Sequence, residues 1–110
     1  MSKVVGFGKY SVAGAAGVLA NGFASRKATL ATVAASLGGS QDGYWVVSDA
    51  RWDFMFLWEV PDTAVPTMRA LLLSAQTTGG YDGSEIFYLL DPDVVDAART
   101  SVPGYQPPNA

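Results

Sequence analysis

The sequence predicts an α+β fold: one four-stranded antiparallel sheet with two helices on a single face and a short helix at the C-terminal end. Three observations predict it. Trp52 to Val60 is an unbroken strand former that sets four aromatic rings at a spacing of two. Strand and helix signals alternate along the chain as β-α-β-β-α-β. The first and third strands can be aligned so that charges and ring volumes match on both faces at once.

The elements follow in order. Lys3 to Tyr10 reads as a strand, although Gly6 and Gly8 weaken it. Ser11 to Gly22, rich in Ala and Gly, reads as a loop or a poorly formed helical turn. Ser25 is placed as the N-cap of a helix over Arg26 to Leu37, which Gly38-Gly39 ends. Tyr44 to Ser48 is the second strand, and Asp49-Ala50 is a short reversal into the third, Trp52 to Val60. Pro61-Asp62-Thr63 opens a helix reaching about Ala75, with Pro66 tolerated in its first turn. Glu85 to Leu90 is the fourth strand. Asp91-Pro92 opens a short helix to about Arg99. This is the ferredoxin-like βαββαβ arrangement, with spatial strand order 4-1-3-2. Residues 1–99 form the domain, and residues 100–110 a flexible tail.

Pairing Lys9 with Asp53 sets Phe7 against Met55, Val5 against Leu57 and Lys3 against Glu59. On the other face Gly8 meets Phe54, Gly6 meets Phe56, Val4 meets Trp58 and Tyr10 meets Trp52. Basic residues then face acidic ones, and glycines leave room for rings. A two-residue reversal would likewise set Val47 against Trp52 and Trp45 against Phe54. Both sheet faces are then apolar. The face with Trp45, Trp52, Phe54, Phe56 and Trp58 is expected beneath the helices. The face with Val5, Phe7, Tyr44, Val46, Met55 and Leu57 is left uncovered. Leaving several hundred Å² of it wet forfeits on the order of 10 kcal/mol of burial. The expectation is a homodimer or higher oligomer paired through this face.

Composition points the same way. Of the 110 residues 49% are hydrophobic and only 15% charged, against about 25% charged in ordinary soluble domains. The net charge is −3 and the seven basic residues are scattered. Nucleic-acid binding is therefore not expected. No run approaches a membrane span, and Lys9 and Ser11 interrupt the apolar stretch that could otherwise pass for a signal peptide. A cytoplasmic location is expected. Cysteine and histidine are both absent, which removes disulfides, the commonest metal ligand and the commonest general base. No cofactor and no metal are expected.

The segments GKYS (Gly8 to Ser11), Arg26 ahead of an Ala-rich helix, LGG (Leu37 to Gly39), WDFMFLWEVPD (Trp52 to Asp62) and LLDPDVVDAA (Leu89 to Ala98) resemble the GYD domain family. The Gly-x-Tyr-Asp signature of that family stands here as Ala50-Arg51-Trp52-Asp53. The resemblance covers about residues 4 to 98. It implies a ferredoxin-like domain of the dimeric α/β barrel type, pairing through its sheet.

Candidate chemistry centres on the uncovered face. Phe7, Lys9, Tyr44, Asp53 and Met55 would line a pocket for a small apolar or aromatic ligand in a non-catalytic binding or assembly module. The alternative is a cofactor-free enzyme acting on a small aromatic or polyketide-like substrate, with Asp53 as acid/base and Tyr44 as hydrogen-bond donor; its support is analogy. A structural ion pair with Lys9 is the favoured reading of Asp53. Glu59 lies six strand residues away, ~20 Å, beyond the ~5–10 Å that paired-carboxylate hydrolysis needs. Gly6-Phe7-Gly8 sits in a strand and is not a phosphate loop. Asp91, Asp93 and Asp96 read as helix-capping and first-turn acids.

Overall fold

The computed structural model describes residues 1–109. The order of elements is β1 (Ser2–Tyr10), α1 (Val12–Asn21), α2 (Phe23–Ser36), β2 (Ser40–Val46), β3 (Phe54–Val60), a 3₁₀ turn (Asp62–Ala64), α3 (Val65–Gln76), β4 (Tyr81–Leu89) and α4 (Pro92–Ala98), followed by a second 3₁₀ turn (Arg99–Ser101). The fold is α+β, with a four-stranded open sheet in the order β2-β3-β1-β4 and every neighbouring pair antiparallel. Read from the opposite edge, that order is 4-1-3-2.

The β1–β3 register is the one the charges and ring volumes predict. Lys3 faces Glu59, Val5 faces Leu57 and Phe7 faces Met55, while Val4, Gly6 and Gly8 face Trp58, Phe56 and Phe54. A Cβ added at Gly6 would clash with the ring of Phe56, and one at Gly8 with the ring of Phe54. Two missing side chains in β1 thus admit two rings from β3. Phe54, Phe56 and Trp58 are all buried, together with Val4, Val60, Leu30, Ala34 and Met68. The aromatic side of β3 therefore lies beneath the helices. Ala34 offers no bulk between α2 and the sheet. The indole N–H of Trp58 donates to Gln41 Oε1 at 2.8 Å, so the largest core side chain keeps its polar atom paired.

Three expectations are corrected. First, Val12–Asn21 is a full helix rather than a loop or a poorly formed helical turn, so the described residues hold four α-helices instead of three. Ser11 caps it: its Oγ accepts from the Gly14 amide at 3.1 Å. Gly14 packs on the Gly80 backbone so closely that a Cβ there would meet the carbonyl oxygen. Tertiary contact compensates for the weak helix propensity of a Gly-bearing segment. Second, α2 begins at Phe23, with Gly22 rather than Ser25 at its N-cap. Gly22 has φ 92°, a conformation that favours glycine.

Third, the β2–β3 hairpin is one residue out of the expected register. Val46, not Trp45, faces Phe54; Trp45 faces Met55 and Tyr44 faces Phe56. The connection spans residues 47–53 instead of a two-residue reversal, and an irregularity lies between Gln41 and Gly43. A one-residue slip exchanges the faces of a strand. Tyr44 is therefore buried under the helices, and Trp45 is 51% exposed on the opposite face, above Gly43. Trp52 lies before the strand and packs on Phe7, with ring centroids 5.9 Å apart. The core face thus holds Tyr44 but neither Trp45 nor Trp52.

Candidate functional site

The uncovered sheet face is built from alternate residues of all four strands. Val5 and Phe7 of β1 stand opposite Leu57 and Met55 of β3 on one side and Phe87 and Glu85 of β4 on the other. Trp45 carries the apolar surface onto β2, Trp52 packs on Phe7 and reaches Gly83 of β4, and Leu89 continues it along β4. Phe87 is 46% exposed and Leu89 45%. Ion pairs border it: Lys9 with Asp53 at 3.4 Å and Arg51 with Glu85 at 3.5 Å. Arg51 also lies over the indole of Trp52, 5.4 Å from the ring centroid.

Of the five residues expected to line a pocket, Phe7, Lys9, Asp53 and Met55 share this region; Tyr44 is on the other side of the sheet. The Asp53 carboxylate has two partners. Oδ2 accepts the Tyr10 backbone N–H at 2.8 Å, and Oδ1 meets Lys9 Nζ. The Asp53 backbone N–H donates to the Gly8 carbonyl at 2.8 Å, while its carbonyl accepts from Val47. Asp53 thus closes the end of the β1–β3 ladder, where the strand gives way to the loop. That is the structural task that its place beside Lys9 suggests.

Beneath the sheet lies a second polar cluster. The hydroxyls of Tyr10 and Tyr44 are 3.2 Å apart, and Tyr10 stacks against both Phe54 and Tyr81. Burial, reinforced by the hydrogen bond with Tyr10, pushes the Tyr44 phenol well above the usual tyrosine range. Arg26, in the first turns of α2, donates from Nη2 to the Tyr81 hydroxyl at 2.6 Å. Its Nε is buried without a partner among the described residues. Next to this pair, between α2 and α3, runs an apolar cleft of about 130 Å³ floored by Phe54, Phe56 and Trp58. Arg26 and Tyr81 were not singled out as site residues by the sequence. One signal was available: a basic residue in the first turns of a helix that carries no acid there.

Asp91, Asp93 and Asp96 are exposed around α4. Asp91 occupies the N-cap position, but its side chain makes no capping bond; only its carbonyl accepts, from Val94 and Val95. No helix among the described residues is long and apolar enough to cross a membrane. No family model, curated protein or solved structure matches the chain.

Proposed function

We propose that the chain is a ferredoxin-like, GYD-type module that works as a homo-oligomer, two copies packing through their uncovered sheet faces. The observation that carries this reading is the surface the single chain exposes. Its accessible area is 7210 Å². A compact monomer of the same mass exposes about 5,800 Å². The excess, roughly 1,400 Å², is shared between the extended C-terminal segment and the sheet face, where Trp45, Phe87 and Leu89 are 51%, 46% and 45% exposed.

The character of the face supports a second copy as the occupant. Val5, Phe7, Met55 and Leu57 form a contiguous apolar centre. Acid and base stand side by side at its border: Lys9 pairs with Asp53, Arg51 with Glu85, and Lys3 lies opposite Glu59 in the ladder. Two such faces can therefore meet without opposing blocks of like charge. A binding role for the sheet face would involve Phe7, Lys9, Asp53 and Met55.

Sedimentation equilibrium tests the reading. The native chain is expected at twice its single-chain mass. Leu57→Lys sets a cation at the centre of the face while leaving the buried side of β3 untouched, and is expected to sediment as a folded monomer. A wild-type chain that stays monomeric at the highest soluble concentration would sink the proposal.

A further inference from the structure

Among the described residues Arg26 has no counter-ion. A guanidinium stays charged at any physiological pH. Nη2 donates to the Tyr81 hydroxyl, and Nε is shut from solvent with no acceptor among the described residues. No carboxylate among the described residues reaches it within ion-pair distance. Its position makes this worse, because the positive end of the α2 dipole lies at the same terminus and no acid stands in the first turn to offset it. A partly buried cation so placed is stabilised by an anion that none of the described residues supplies.

The cleft beside it has the shape of the rest of that anion. α2 contributes Leu30 and Val33 to its walls, α3 contributes Leu71 and Leu72, and aromatic rings form its floor. Its volume of about 130 Å³ is close to the ~150 Å³ of an apolar cavity that accepts benzene. Arg26, Ala75 and Tyr81 line both this cleft and a more open hollow that reaches α1 and Gly80. The Arg26–Tyr81 pair therefore stands where the apolar cleft meets the wetter hollow. A ligand with a polar head and an apolar body would lie across that junction.

We propose that the cleft between α2 and α3 binds a small monocarboxylate with one aromatic ring or a short branched chain. The carboxylate is held by Arg26, beside the Tyr81 hydroxyl, and the apolar body lies over Phe54, Phe56 and Trp58. Every residue used belongs to one chain, so the site is independent of self-association.

Benzoate is the probe, benzamide its neutral isostere, and calorimetric titration the measurement. The wild-type protein is expected to bind benzoate at least tenfold more tightly than benzamide. Arg26→Gln, a change at a partly buried position, is expected to bring the two within about twofold. Ala75→Phe, which fills the cleft and leaves Arg26 in place, is expected to abolish binding of both; Arg26→Gln keeps the test open if that variant does not fold. Absence of benzoate binding, equal affinity for the two probes in the wild type, or an undiminished preference in Arg26→Gln would each overturn the proposal. Leu57→Lys is expected to bind benzoate like the wild type. Loss of binding in that variant would overturn the single-chain site, and a wild type that binds benzoate as a monomer would leave this site standing without the sheet-paired oligomer.

Discussion

Gly6 and Gly8 decide how β3 can be buried. Each sits directly under a phenylalanine ring, in space that any side chain would occupy. Gly6→Val is expected to lower the free energy of unfolding by about 3 kcal/mol, through overpacking against Phe56. Urea denaturation measures this. Trimming the ring in the double variant Gly6→Val/Phe56→Leu is expected to recover part of the loss, as coupling between contacting residues requires. Tyr44 gives a pH signature at the same scale. Its folded pKa is raised, so the folded state keeps the phenol proton where the unfolded state has lost it. Below about pH 10 both states are protonated and the group adds no pH dependence; above it, stability falls as pH rises. Tyr44→Phe is expected to cost about 1–2 kcal/mol at neutral pH, by leaving the Tyr10 hydroxyl without its partner. It is also expected to flatten the alkaline limb, seen by comparing urea midpoints at neutral and alkaline pH.

Among the elements, α1 is the one whose existence depends most on its surroundings. Gly14, Gly17, the two valines and Asn21 offset the helix propensity of its four alanines, and Val18 is its single buried residue. Ser11 holds it at both ends of a short bridge: Oγ accepts from the Gly14 amide and donates to the Gly79 carbonyl, while the Ser11 amide donates to the Gly80 carbonyl. Ser11→Ala is expected to cost about 1–2 kcal/mol, with faster hydrogen exchange confined to Val12–Asn21 and the turn before β4. An unchanged exchange pattern would show that packing alone holds the helix. The β2–β3 connection shows how loop length acts on a whole element. Seven residues instead of two put residues 43–46 of β2, Tyr44 and Trp45 among them, on the other face, and the irregularity after Gln41 leaves Ser40 and Gln41 in the register of the short reversal.

At the scale of the molecule, shape is the informative quantity. The radius of gyration is 17.1 Å and the long axis 55 Å, whereas a compact chain of this length has a radius of about 13 Å. The difference lies in the C-terminal segment, where α4 buries nothing and Leu90, Val102 and Tyr105 are 70%, 72% and 80% exposed. An apolar arm of this kind gains burial only on a neighbouring chain. Deleting residues 91–110 is expected to weaken self-association at least tenfold while leaving the near-ultraviolet circular dichroism of the body intact, since the deleted side chains contribute nothing to the core. Unaltered dimer affinity in the deleted form would confine the contact to the sheet.

The sequence by itself determined the β1–β3 register, the burial of Phe54, Phe56 and Trp58, and the surplus of apolar surface, because these follow from strand periodicity and from volumes that match at one alignment only. It also placed Asp53 beside Lys9. It could not determine which face Tyr44 and Trp45 occupy, because that depends on the length of an irregular loop and on a slip within β2, which no local pattern encodes. Nor could it show that Val12–Asn21 is helical, since contact with the Gly80 backbone supplies what propensity lacks. The cleft beside Arg26 belongs to the tertiary structure alone: Arg26, Phe54, Leu72 and Tyr81 are distant in the chain, and only the packing of two helices on one sheet face leaves a space between them.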